Sequence, residues 1–180
     1  MLAPTEAACS LFDAIRDDDV ARVEAALRDG ASIESVNANE ETALVAAILN
    51  GSARVATLLL ARGADVHRRD AEGFTAAHAG AEVGNAEVVR ALAEAGADGN
   101  TPDIEGDTPA YIAAANGHVE VVRALAELGA DVNTPTNDGC TPAYVAAQNG
   151  HLEVVRLLAE LGANVNTPDA DGAAPGWGAA

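Results

Sequence analysis

The chain has 180 residues, with 28 acidic and 10 basic side chains and a net charge of −18. Every basic residue is an arginine. Such a surface repels phosphate backbones and anionic headgroups, which argues against nucleic acid and membrane as partners, while a basic protein gains from long-range attraction.

From the N-terminus, residues 8–27 read as a helix pair, with Leu11, Phe12, Ile15, Val20, Val23 and Leu27 turned inward. Glu6, Arg16, Asp17, Asp18, Asp19, Arg22 and Arg28 fall on the outer positions, so residues 1–36 suit a degenerate capping unit with a polar end face. A period of 33 residues governs the rest of the chain. Gly63-Ala64-Asp65, Gly96-Ala97-Asp98, Gly129-Ala130-Asp131 and Gly162-Ala163-Asn164 mark one phase; Gly73, Gly106, Gly139 and Gly172 mark another. The units run 37–69, 70–102, 103–135 and 136–168. In the first, Glu40 replaces the turn glycine, and in the second, Gly80 sits inside the first helix where alanine is expected.

The unit 103–135 is the clearest copy. Glu105-Gly106-Asp107 is a turn, Thr108 caps a helix, and Pro109 opens it without losing a hydrogen bond. That helix, 110–116, is alanine-rich and ends at Asn116-Gly117. A second helix from about Val119 carries Val121, Val122, Leu125 and Leu128 on one stripe and stops at Gly129. Residues 131–135 read as an extended return. No unit buries its own apolar face, so the units stack into an all-α repeat solenoid. Residues 169–180 match the opening of a further unit, with Gly172, Pro175, Trp177 and Ala179-Ala180 in phase. Either the array is longer than this chain or Pro175-Gly176-Trp177 folds back as a lid; the first reading is the expectation.

These parts in this order resemble the ankyrin repeat, with the pattern D-x-x-G-x-T-P-x-x-x-A-A-x-x-G-H-x-E-V-V-x-x-L-x-x-x-G-A-D-V-N met almost in full by 103–135 and 136–168. The resemblance implies stacked antiparallel helix pairs with β-hairpin-like fingers. Family members carry Leu-His after Thr-Pro, where this chain has Ala110-Tyr111 and Ala143-Tyr144, so only Thr75 and His78 keep the threonine–histidine pair. The resemblance makes Asn133 and, less well matched, Asn166 candidate sites for asparagine hydroxylation in a host with the right dioxygenase, each with a leucine eight residues earlier. The alternative is that each asparagine holds its own finger turn.

Chemistry is hard to find. The chain has no Gly-rich phosphate loop, H-E-x-x-H, C-x-x-C or G-x-S-x-G, so no catalysis, metal or cofactor is expected. His118 and His151 lie one period apart and suit structural roles better than a shared metal. Cys9 and Cys140 fall in distant units, which argues against a disulfide and suggests a reducing compartment. The apolar runs are too short to cross a bilayer and no secretory leader is visible, so a cytoplasmic monomer is expected.

The resemblance places recognition on finger tips and first helices, where residues vary between units. Those positions include Glu72, Ile104, Asp107, Asn137 and Cys140 on fingers, and Glu82, Asn116, Gln148 and Asn149 on helices. One finger stands apart: Arg68, Arg69 and Phe74 form its basic-aromatic cluster, the composition of an interface anchor. The expected function is non-enzymatic docking of a protein partner through a concave face. Stoichiometric inhibition of an enzyme, a passive spacer role in a longer array and service as a modification substrate are the alternatives.

Overall fold

The computed structural model describes residues 6–167 and Gly172. Ten α-helices lie within them: α1 (Glu6–Arg16), α2 (Val20–Arg28), α3 (Ala43–Leu49), α4 (Ala53–Ala61), α5 (Ala76–Glu82), α6 (Ala86–Glu94), α7 (Pro109–Ala115), α8 (Val119–Glu127), α9 (Pro142–Gln148) and α10 (Leu152–Glu160). Each odd-numbered helix packs on its successor, and short connectors make each pair a helical hairpin. Odd helices stack in one row, α1 on α3 through to α9, and even helices in a second. The all-α stack is as expected, and the proposed lid at Pro175–Trp177 lies outside the described residues.

The first helix of each later pair is short because threonine starts it and glycine stops it. Thr42, Thr108 and Thr141 each accept, at 3.2 Å, the N–H three residues on. Alanines at 43, 46, 47, 76, 77, 79, 81, 110, 113, 114, 143, 146 and 147 are buried, which lets backbones of neighbouring pairs come close. Second helices end in one repeated motif: a left-handed glycine (φ +80° at Gly63), after which Ala64 N–H donates to the Leu59 carbonyl at 3.0 Å. Ala97, Ala130 and Ala163 do the same to Leu92, Leu125 and Leu158.

The core forms two apolar clusters that meet at α5 and α6, where His78 and Gly80 supply no aliphatic side chain. Gly80 is there for space, since a Cβ on it would lie 3.0 Å from Val89 Cγ2. The position where alanine is expected is the seat of a close helix–helix approach.

One local expectation needs correction. The return at 131–135 is not simply extended: Asn133 N–H donates to Asp131 Oδ1 at 2.9 Å and Val132-Asn133 turns. The fingers are the hairpin-like turns expected, each closed by its own backbone bonds; among the described residues the one β-bridge pairs Val36 with Thr42.

Candidate functional site

Each finger is a tight turn organised by its first residue. Asp70 Oδ1 accepts from Glu72 N–H at 2.9 Å and Phe74 N–H at 2.8 Å, while Asp70 N–H donates to the Phe74 carbonyl at 3.1 Å. Asp103 does likewise with Glu105 and Asp107, and Asn37 with Asn39 and Glu41. A small polar side chain that caps its own turn explains why Asp, Asn or Thr opens every finger.

Fingers also bond to one another. Ile104 N–H donates to the Glu72 carbonyl at 2.9 Å, and Asn137 N–H to the Glu105 carbonyl at 3.0 Å. The turn glycine makes this approach possible. A Cβ on Gly106 would lie 2.6 Å from the Asn137 nitrogen, and one on Gly73 would lie 3.1 Å from Asp103 Cα. At the same place in the preceding finger stands Glu40, with φ +65° and a Cβ. Among the described residues no hydrogen bond joins that finger to Asp70 or Ala71. A groove opens there, floored by Val45, Leu49 and Phe74 and flanked by Val36 and Ala71.

The candidate residues fall into two groups. Glu72, Glu82, Ile104 and Gln148 are exposed and make no side-chain bond within the chain. Ile104, at 64% exposure, is the most open large apolar side chain among the described residues. The others serve the scaffold in part. Arg69 donates from Nε to the Gly73 carbonyl (3.2 Å) and from its guanidinium to the Pro102 carbonyl, tying its finger to the following return. Arg68 reaches the Glu34 carbonyl at 3.4 Å and its carboxylate at 3.9 Å. Phe74 is half-buried and stacks on His78 with centroids 5.1 Å apart. Asn137 Nδ2 donates to the Ile104 carbonyl, Asn149 Nδ2 to Ala115, and Asn116 Nδ2 to Ile112. Cys140 is partly exposed and its N–H donates to Thr136 Oγ1.

His78 is fully buried and joins two units. Its Nδ1 accepts the Thr75 N–H at 3.0 Å, so Nε2 carries the proton and donates to the Asp107 carbonyl at 3.0 Å. Burial holds its pKa below the usual imidazole value. Asp107 is pushed up to about 6, first by burial and then by Asp103, Glu105 and Asp138. Burial, helped by Asp107, pushes Tyr111 up to about 12 and keeps it neutral. His118 and His151 stitch pairs together, donating from Nε2 to the Glu82 and Ala115 carbonyls at 3.0 and 2.9 Å. Their rings lie over Gly84 and Gly117, where any Cβ would meet Nδ1 at 2.6 Å. Among the described residues no three metal-ligating side chains gather.

Asn133 and Asn166 are exposed in the returns. The side chain that holds each turn is the one two residues earlier, Asp131 and Asn164. Asn100 instead bridges units, its Oδ1 accepting the Asp131 N–H at 2.7 Å.

The family model described as ankyrin repeats (3 copies) matches residues 11–103 and 96–169. The chain belongs to the ankyrin-repeat family. Ankyrin repeats are in general protein–protein interaction modules, and the family is typically non-enzymatic. A comparison with curated proteins gave no match. Among the described residues no helix is long and apolar enough to cross a membrane. Within this ankyrin array, sequence reasoning missed the groove lined by Val36, Val45 and Leu49. Its signal was present in Glu40, where every other finger turn has glycine.

Proposed function

We propose that this ankyrin array docks one protein partner through the tier of finger tips and the exposed side of its first helices, without catalysing a reaction. The observation that carries this reading is Ile104. A large apolar side chain stands 64% exposed at the tip of a finger whose own turn is closed by Asp103. Glu72, on the finger bonded to Ile104, is exposed, as are Glu82 and Gln148 at the ends of the first helices of the flanking units, and none of the three side chains is spent within the chain. An apolar anchor within a polar rim is the make-up of an interface centre. Arg68 and Arg69 contribute to this face as supports of its shape, because their guanidinium groups are engaged within the chain. The repeat units proposed for this assembly are 1–36, 37–69, 70–102, 103–135 and 136–168, followed by 169–180.

The test is capture of a partner from native-host extract, followed by its affinity for variants. Ile104→Asp should weaken binding at least tenfold with helical circular dichroism unchanged. Unchanged affinity removes the finger tier from the interface. If the captured protein is an enzyme and loses activity at one-to-one stoichiometry, docking takes the form of inhibition.

A further inference from the structure

The fingers are not bonded alike along the stack, and the residue at one turn position differs where the bond is missing. At three successive finger turns the third position after the opening residue is Gly73, Gly106 or Gly139. Where the next finger follows Gly73 and Gly106, a Cβ would press on its backbone at 3.1 Å in the first case and collide with it at 2.6 Å in the second. Glu40 holds the same left-handed turn position and does carry a Cβ. The bond equivalent to Ile104 N–H to Glu72 carbonyl would run from Ala71 N–H to the Asn39 carbonyl, and it is absent among the described residues. The Glu40 Cβ is placed where a wedge between the two fingers would sit.

What the wedge exposes has a definite chemistry. The floor is aliphatic and aromatic: Val45, Leu49 and Phe74. The rim is acidic, with Glu40, Glu72 and Glu82 exposed and unpaired with arginine. Both arginines on the wall, Arg68 and Arg69, are already engaged by Glu34, Gly73 and Pro102.

We infer that the gap opened by Glu40 is a binding groove for an extended basic protein segment, one bulky apolar side chain seated over Val45, Leu49 and Phe74 and flanking arginines or lysines held by Glu40, Glu72 and Glu82. The segment runs between two fingers, where the Asn39 carbonyl and the Ala71 N–H offer the backbone bonds that the wedge left unmade. Charge complementarity selects a basic segment over an acidic one in a chain of net charge −18. This inference rests on the docking face proposed above and names its partner class.

The experiment titrates an Arg-Arg-Gly-Trp-Gly-Arg-Arg peptide into isotope-labelled protein and follows amide shifts. The amides of Val36, Val45, Leu49 and Phe74 should move, more weakly as salt rises. A peptide with glycine for tryptophan, and one with glutamates for the arginines, should each bind at least tenfold more weakly. Glu40→Gly installs the residue that the other turns use, so the variant folds; it should close the gap, slow exchange of the Ala71 amide and lose at least tenfold in peptide affinity. Shifts absent at millimolar peptide, equal binding by Glu40→Gly, or equal shifts with the glycine peptide would each overturn the groove. If the peptide fails while Ile104→Asp still loses the captured partner, only the groove falls and the docking face stands. If the peptide binds as described while Ile104→Asp keeps the captured partner, the groove stands without the wider face.

Discussion

At Gly106 the backbone sits at φ +87° with the Asn137 nitrogen 2.6 Å from where a Cβ would be. Gly106→Ala should cost about 2–3 kcal/mol, from left-handed strain and the loss of the Asn137–Glu105 bond. A denaturant midpoint unchanged from the parent would contradict this. Asp107 gives a pH prediction. Its folded pKa is raised, to about 6, so the stability linked to its neutral form is full below the ordinary carboxylate value and lost as pH rises through about 6. Because the group is partly solvated, Asp107→Asn should gain only about 1 kcal/mol over the parent at pH 7, and nothing at pH 4. His78, next to it, has the opposite sign: with its pKa lowered, its contribution is full above the ordinary imidazole range and lost as pH falls through the lowered value. An unchanged pH profile in the Asn variant would show that Asp107 is fully solvated. Residue-scale roles were only partly legible in sequence. Thr75 and His78 were, because a cap and its partner lie three residues apart. Arg69 was not: its acceptors include Pro102, one period away in space and carrying no side-chain signal.

Among the elements, the helix pairs were legible almost to the residue because Thr-Pro starts and Gly-Ala stops are local chemistry. The helix expected at 110–116 is α7, Pro109–Ala115, and the second begins at Val119 as read. At Gly80 the sequence carried no sign of Val89, which stands on another helix 3.0 Å from where a Cβ would be. Gly80→Ala should therefore destabilise rather than stabilise, by roughly 1–2 kcal/mol, as Val89 is forced outward; a rise in melting temperature would contradict the packing account. The finger of Asn37 keeps a non-glycine left-handed residue and makes no bond to its successor, so its neighbourhood should open first. Amide exchange should be faster across residues 43–60 than across 143–158. The reverse order would mean that the last pair, with Leu152 and Leu161 exposed, frays more readily than the wedge loosens the first.

For the molecule as a whole, periodicity revealed the architecture because a repeat stack is built from nearest-neighbour contacts. Function was less legible, because periodic residues report folding and the aperiodic ones include both supports and display. The structure sorts the side chains: Arg68, Arg69, Asn137 and Asn149 hold neighbouring parts together, while those of Glu72, Glu82, Ile104 and Gln148 are exposed and make no hydrogen bond within the chain. The central claim is that the finger and first-helix face does the docking. Its most direct measurement compares two variants for affinity toward the captured partner, with helical content checked in both. One carries Glu72→Ala, Ile104→Asp and Gln148→Ala; the other changes Glu94, Glu127 and Glu160 to Ala at the ends of the second helices. The account predicts at least a hundredfold loss for the first and less than a threefold change for the second. Loss confined to the second variant would place the partner on the opposite row of helices and contradict it.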